Sequence, residues 1–313
     1  MTSRKLGNTG IRVTALCVGT SPLASMPGLY GYEVDEARAV ATVRAALASP
    51  IRFLDTSNGY GAHGESELRI GEALREAGGM PEDFVLATKV DPRQGSSDFS
   101  GARVRESYRE SLDRLGVDRV PLLHLHDPER IGFEASMAPG GPVEALRELK
   151  AEGRVDWIGV AGGSLSVLRP LVETGEFDVV LTHNRFTLLD RSAAELIGVA
   201  SAAGLGVLNA APYGGGLLAK GPASTSKYAY AERDDANAAA ERMQAACDRH
   251  GVPLAAAALQ FSLRDERIDS TVVGVSAPER IEQTLALAAC EIPGELWAEL
   301  EELTPPRSSW LND

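Results

Sequence analysis

A tyrosine flanked by glycines, Gly59-Tyr60-Gly61, lies five residues beyond Asp55, an aspartate that closes the apolar run Phe53-Leu54. A carboxylate at the end of a buried strand is costly unless it meets a cation. The run Val85-Leu86-Ala87-Thr88-Lys89 supplies one. Alternate residues of a strand share a face, so Val85, Ala87 and Lys89 point the same way, and Lys89 is the natural partner of Asp55. In Leu122-Leu123-His124-Leu125-His126, both histidines share a face and His126 comes later. Tyr60, on the short loop after Asp55, can lean over the same place. Free tyrosine titrates near roughly pH 10 and is a poor acid or base at neutrality. A neighbouring ammonium favours the phenolate and is expected to lower that value. The carboxylate would keep Lys89 charged and in place, and His126 could orient a substrate oxygen. Such a set suits hydride transfer with a proton relay. Read from spacing alone, it leaves lyase and hydrolase chemistry open.

These residues converge only if the strands carrying them are neighbours. Apolar runs suggest strands at 16–19, 52–55, 85–89, 120–126, 155–160, 179–183, 206–210 and 271–274. Amphipathic patterns suggest helices at 35–48, 65–76, 101–115, 142–152, 164–173, 192–203 and 278–289, two more within 235–265 and one at 293–303. Strand–helix alternation with right-handed crossovers predicts a parallel (β/α)8 TIM barrel. An N-terminal β-hairpin (Lys5-Leu6, then Gly7-Asn8-Thr9-Gly10, then Ile11-Arg12-Val13) precedes it, and extra helices lie near the C-terminus. The long connections 90–100, 127–141 and 211–234 all follow strands, which places them on the face where barrel active sites lie. With no repeat or linker visible, residues 1–313 read as a single domain.

Composition narrows the function. A net charge of −13 over 313 residues argues against nucleic acid, which requires a basic face. No apolar run has membrane-span length, and MTSRKLGNTG lacks the apolar core of a signal peptide, so a cytoplasmic protein is expected. Cys17, Cys247 and Cys290 are far apart and without zinc spacing, so they read as reduced packing residues.

The stretches DTSNGYG…GESELRIGEAL, LATKV, LLHLHDP, GRVDWIGV and VVGVSAPERIEQTL together resemble the aldo-keto reductase family. The likeness runs from the hairpin to the final helix in the family's order and spacing. LLHLHDPE, NRFTLLD and NAAPYGGGLLA are most similar to its aldose 1-dehydrogenase branch, which includes L-fucose, L-galactose and pyridoxal dehydrogenases. The resemblance implies a barrel that moves hydride between NAD or NADP and a carbonyl or alcohol. Its catalytic tetrad would fall on Asp55, Tyr60, Lys89 and His126, with Tyr60 as general acid and base.

Cofactor contacts implied by the likeness are Thr20, Asp55, Asn184, Gly214, Gly216, Leu217, Gly274, Ser276, Arg280, Gln283 and Thr284. Asn184 would bond the carboxamide, and the glycines would bring backbone close to the pyrophosphate. The Ser276-Ala277-Pro278-Glu279-Arg280 segment opens a helix whose free N–H groups suit phosphate. Arg280 would stack on adenine or pair with a 2′-phosphate. Two departures stand out: Gly274 replaces a lysine of many NADP-specific relatives, and Ala210 replaces an aromatic that stacks on nicotinamide. Absence of G-x-G-x-x-G accords with a barrel that binds its dinucleotide extended.

Pocket walls are expected around Leu23–Tyr32, Asp91–Phe99, Phe133–Met137, Tyr213–Tyr230 and Trp310. The expected partner is a small carbonyl or sugar, with no nucleic acid, membrane or metal, and the chain is expected to be a monomer. Two other readings compete. An idle barrel could serve as a redox-sensing regulatory subunit, against which the intact tetrad counts. A metal-dependent lyase or hydrolase could use His124, His126 and Asp127. Against that, the histidines differ in depth and strand alternation turns Asp127 to the opposite face.

Overall fold

The structure, a computed structural model, describes residues 2–313. Its N-terminal hairpin pairs β1 (Ser3–Lys5) with β2 (Arg12–Thr14), Lys5 opposite Arg12. Six more strands follow in chain order: β3 (Leu16–Gly19), β4 (Phe53–Asp55), β5 (Val85–Val90), β6 (Leu122–His126), β7 (Trp157–Gly162) and β8 (Val179–His183). After β9 (Gly206–Ala210) come the two-residue strands β10 (Lys227–Tyr228) and β11 (Ala231–Glu232), then β12 (Ser270–Gly274). The eight parallel strands close in the order β12-β3-β4-β5-β6-β7-β8-β9. The expected (β/α)8 barrel is therefore present.

Alternation along each strand divides the apolar residues into two cores. Cys17, Phe53, Val85, Ala87, Leu122, Ala161, Leu181, Leu208 and Val272 fill the barrel, and Leu6 and Val13 of the hairpin join them. Leu54, Leu86, Leu123, Leu125, Ile158, Val160 and Val180 face outward and meet the helices. Each strand buries both faces, as parallel strands covered by helices do.

Strand boundaries differ from expectation at β6 and β7. Pro121 has no N–H to give to a ladder, so pairing begins at Leu122, and the Pro121 carbonyl takes the N–H groups of Asp156 and Trp157 at 3.2 and 3.0 Å. Strand β7 then runs on to Gly162, because Ala161 and Gly162 pair with His126 and Thr182. The helices carry ordinary start signals: Asp35 accepts from Arg38 N–H (2.8 Å) at the head of Glu36–Ala48. The expected pair in 235–265 is Asp234–Arg249 and Leu254–Leu263, and Gly294–Glu302 follows. Two long connections are partly ordered, with helix Gly132–Met137 in one and Leu217–Lys220 plus the β10–β11 ribbon in the other. Cys17 and Cys247 are buried and, like Cys290, carry free thiols.

Candidate active site

Parallel register places the chemistry at one rim. Asp55 pairs with Ala87, and Lys89 with His124, so the inward ends of β4, β5 and β6 are neighbours. Lys89 is 1% exposed and Asp55 3%, and Lys89 Nζ donates to Asp55 Oδ2 at 2.7 Å. Its other contacts are the Thr56 carbonyl at 2.6 Å and the Tyr60 hydroxyl at 3.1 Å. An ammonium has three protons, and here it meets three oxygens. The Tyr60 ring also lies under the charge, 4.7 Å from Nζ to centroid, and edge-on to His126. The structure thus brings all four expected residues together.

The expected depression of the Tyr60 pKa is not found. Burial and then the charges of Asp55, Asp127 and Asp91 push the phenol well above its ordinary value. The reason is local: Asp55 answers the Lys89 charge at 2.7 Å, so the tyrosine sees a nearly neutral pair. Burial likewise raises Asp55, with Lys89 opposing the rise, and Asp55 Oδ1 is a buried acceptor without a partner among the described residues.

His126 is held from behind. Its Nδ1 lies 2.8 Å from Asp91 Oδ1 and 3.0 Å from the Ser57 hydroxyl. Asp91 Oδ2 also accepts from Ser57 and from Gly59 N–H, the latter at 2.8 Å. A Cβ at Gly59 would fall 2.7 Å from the Asp91 carboxyl carbon, so only glycine permits that approach. Burial lowers the His126 pKa, but Asp127 and Asp91 outweigh it and the net shift is upward. Burial raises Asp91, but His126, Ser57 and Gly59 outweigh it and hold its carboxyl low. Neither Asp91, expected only at the edge of a pocket wall, nor Ser57 was among the expected catalytic or cofactor-binding residues. The inward phase of β5, carried one step past Lys89, would have indicated Asp91.

Asp127 corrects an expectation. Alternation would turn it outward, but its backbone is left-handed (φ 46°, ψ 56°), and its carboxylate comes back to the rim. Asp127 Oδ1 lies 3.7 Å from His126 Nε2 and 3.9 Å from His183 Nε2, with Arg130 3.2 Å from Oδ2. That conformation is strained for a non-glycine residue and doubly so before proline, by about 1–3 kcal/mol. His183 stands on the inward phase of β8. Asp127, Glu129 and His183 bring one donor atom each within 4.8 Å of one another. Glu129 Oε1 already accepts from Gly163 and Ser164 N–H, at 2.7 and 3.3 Å. His124 is fully buried, faces Gly159 where a Cβ would sit 2.2 Å from its Nδ1, and has a pKa driven well down by burial. It is a neutral core residue and not a partner of His126 and Asp127 in a ligand set.

Tyrosines edge the mouth. Tyr230 meets Tyr30 edge-on at 6.0 Å, and Tyr30 lies 5.8 Å from Tyr32. Ala229 and Tyr230 are left-handed at the β10–β11 turn, so the 211–234 connection crosses toward the N-terminal loop. Leu23 and Phe99, expected as pocket walls, are instead buried in the outer core, and Trp310 Nε1 donates to the Pro305 carbonyl at 3.2 Å.

The residues expected to hold a dinucleotide form a second group on the β8, β9, β12 side. Asn184, 3% exposed and left-handed at φ 62°, has Oδ1 buried with no partner among the described residues. That orphaned acceptor fits an amide N–H₂. Gly214, Gly215 and Gly216 all have positive φ, and Leu217 behind them is buried. A Cβ on Gly214 would meet the Tyr228 ring at 2.1 Å, so this glycine run also seats the β10 strap. Helix Glu279–Ala289 has no side chain capping its start, where Arg280 and Ile281 N–H donate to the Ala277 and Pro278 carbonyls at 3.0 and 3.1 Å. Gly274 and Arg280 are exposed there, Arg280 donates to Gln283 Oε1 at 3.0 Å, and Thr284 Oγ1 donates to the Arg280 carbonyl at 2.7 Å. Ser276 and Arg280 face the Tyr32 phenol, whose ring also takes Lys220 Nζ at 5.5 Å. Thr20 differs from the rest, because its hydroxyl donates to the Asp55 carbonyl at 2.9 Å and its proton is spent on the scaffold.

The sequence matches the Aldo/keto reductase family over residues 15–305. The chain belongs to the aldo-keto reductases. Among its relatives, this aldo-keto reductase is 33% identical to pyridoxal 4-dehydrogenase of Microbacterium luteolum (95% of this chain, 96% of that one). It is 34% identical to L-galactose dehydrogenase of Arabidopsis thaliana (97% and 94%) and 35% identical to D-threo-aldose 1-dehydrogenase of a Pseudomonas species (94% of each). A solved aldo-keto reductase of Bacillus halodurans, in holo form, superposes with a TM-score of 0.77 at 25% identity, covering 97% of this chain and 96% of that one. The protein is therefore an oxidoreductase of the nicotinamide-dependent kind, similar to the aldose dehydrogenase branch. Among the described residues no helix is long and apolar enough to cross a membrane.

Proposed function

We propose that this aldo-keto reductase interconverts an aldose, or another small aldehyde, with its oxidised or reduced counterpart, using NAD or NADP, and that Tyr60 is the proton donor and acceptor. The observation that carries this reading is the contact of Lys89 Nζ with Asp55, Thr56 and the Tyr60 hydroxyl at one rim. Bound nicotinamide would supply or accept the hydride. Asn184, the Gly214–Gly216 backbone and the Ser276–Thr284 helix start would hold the cofactor.

The protein's own contribution is proton placement and orientation. Tyr60 stays protonated because burial and three carboxylates oppose the phenolate, so it is ready to give a proton to a carbonyl oxygen that gains hydride. Lys89 fixes the hydroxyl, and Asp55 fixes Lys89. The Asp91 bond to His126 Nδ1 turns Nε2 toward the mouth, where it can bond the reacting oxygen. Two groups then converge on one atom, which orients the carbon for transfer. In the opposite direction Tyr60 must lose its proton first.

The competing regulatory reading would need a barrel unable to move protons, and the assembled Lys89–Tyr60 contact favours the enzyme. We also propose that residues 1–313 act as one domain and as a monomer. Supporting the single domain, the eight strands close one barrel, and Leu6 and Val13 of the hairpin pack with its interior residues. Purified protein assayed by nicotinamide absorbance against aldoses, pyridoxal and simple aldehydes tests the proposal: turnover of any supports it, and no turnover of all contradicts it.

A further inference from the structure

We propose that Asp127 selects aldoses over plain aldehydes, its carboxylate accepting the hydroxyl on the carbon next to the reacting one. This rests on the reading of Tyr60 and His126 as the groups that hold the reacting oxygen.

The geometry begins with the backbone. Asp127 N–H continues the barrel ladder to the Ala161 carbonyl at 2.7 Å, yet the residue itself is left-handed and followed by Pro128. An extended residue here would send the carboxylate outward. The left-handed turn, which costs energy for any residue bearing a Cβ, delivers it to the rim instead. Arg130 takes Oδ2 at 3.2 Å, while Oδ1 faces His126 Nε2 at 3.7 Å and His183 Nε2 at 3.9 Å. A separation of 3.7 Å is too long for a direct hydrogen bond. It suits an oxygen pair from a ligand. With one oxygen roughly 2.8 Å from Nε2, the next oxygen of a gauche vicinal diol falls within reach of Oδ1.

Chemistry agrees with the spacing. The carboxylate is held ionised by His126, His183 and Arg130 against the cost of burial, so it can only accept hydrogen bonds. A sugar's C2 hydroxyl offers the donor it lacks. A hydroxyl-free aldehyde would strip water from this carboxylate and return nothing, the situation in which a binding site discriminates most strongly. The carboxylate acts on binding, so its effect belongs in KM more than in kcat.

The test compares an aldose with its 2-deoxy counterpart, taking whichever of L-galactose, L-fucose and D-arabinose is oxidised fastest. Wild-type enzyme is expected to favour the parent sugar by about 10–100-fold in kcat/KM, the weight of one hydrogen bond to a charged group. Asp127→Gly keeps the left-handed backbone and removes the carboxylate, and should bring that ratio to within about threefold, mainly by raising KM of the parent sugar. Asp127→Asn, which can adopt this conformation as Asp does, should give an intermediate ratio and covers a Gly variant that folds poorly. Discrimination that survives in both variants overturns the proposal, as does a wild type that treats the two sugars alike or oxidises no aldose. An equal drop for both sugars in Asp127→Gly also overturns it, since the carboxylate would then act through His126. Failure of the underlying chemistry reads out separately, as a Tyr60→Phe variant that still turns over both sugars.

Discussion

Asp91 Oδ1 lies 2.8 Å from His126 Nδ1, and the same carboxylate takes Gly59 N–H at 2.8 Å. One buried acid thus ties the loop that presents Tyr60 to the histidine that faces it. The contact reaches across from the end of β5 to the end of β6, adjacent strands whose inward phases meet at the rim.

Removing that acid should loosen both the histidine and the loop that presents Tyr60. Asp91→Asn is expected to lower kcat by about 10–100-fold, the lower part of the usual range for general acid–base help. Its effect on stability should depend on pH. His126 has a raised pKa in the fold, so its contribution is full below the unfolded value of about 6.5 and fades as pH rises through the folded value. Asp91 has a lowered pKa, so its contribution is present above about 3.9 and fades as pH falls through the folded value. The pair is therefore strongest in between. Thermal melts should show a larger loss in Asp91→Asn at pH 5.5 than at pH 8.5; an equal loss at both would contradict the ion pair.

Asp55 and Lys89 should behave as one unit. Lys89→Met leaves Asp55 buried without its cation, and a loss of about 3–5 kcal/mol is expected from denaturant melts. Asp55→Asn paired with Lys89→Met should lose much less than the sum of the two single changes. Simple additivity in that double-mutant cycle would contradict the coupling.

The barrel and the four rim residues were legible because strand phase is a local property. Asp55, Lys89 and His126 each end a short apolar run, and a closed parallel sheet brings such ends together. The same rule reaches Asp91, one inward step past Lys89, and His183, two strands beyond His126. It fails at Asp127, where a left-handed residue before proline reverses the face, because backbone sign is set by packing and not by hydropathy. The Tyr60 pKa was misjudged for another reason. Burial is the largest cause of the rise, and it comes with the acids Asp91 and Asp127, which lie on segments distant in sequence from Tyr60, as well as with Asp55 nearby. The Tyr30–Tyr230 contact, across 200 residues, left no periodic trace at all.

Direction of reaction should respond to the Tyr60 environment. Oxidation needs the phenolate, and burial together with the three acids keeps that form scarce. The kcat/KM for oxidation is therefore expected to climb with pH and still be rising at about pH 10, while reduction stays flat below neutrality. An oxidation profile that levels off near pH 7 would show a phenol far more acidic than its surroundings allow.

Cofactor choice turns on the start of helix Glu279–Ala289. Arg280 is exposed and bonded to Gln283, Gly274 carries no charge, and Glu279 is paired with Arg38 at 2.5 Å. The missing lysine contact is worth roughly 1.5–3 kcal/mol, one to two decades in affinity. Use of both NAD and NADP is expected, with kcat/KM values within about a hundredfold. A preference for NADP beyond about a thousandfold would mean that another cation, such as Arg38 beside Glu279 or Lys220 beside Tyr32, meets the 2′-phosphate.

The measurement that bears most directly on the whole account is turnover by Tyr60→Phe, with cofactor affinity followed in parallel by fluorescence titration. The substitution removes one oxygen, the one that Lys89 holds at 3.1 Å. A fall in kcat of at least about a thousandfold is expected, from lost proton transfer and lost polarisation of the substrate oxygen together, with cofactor affinity unchanged within about threefold. A Tyr60→Phe enzyme that turns over aldose or aldehyde at a near-normal rate would show that the proton comes from elsewhere, and the central assignment would be wrong.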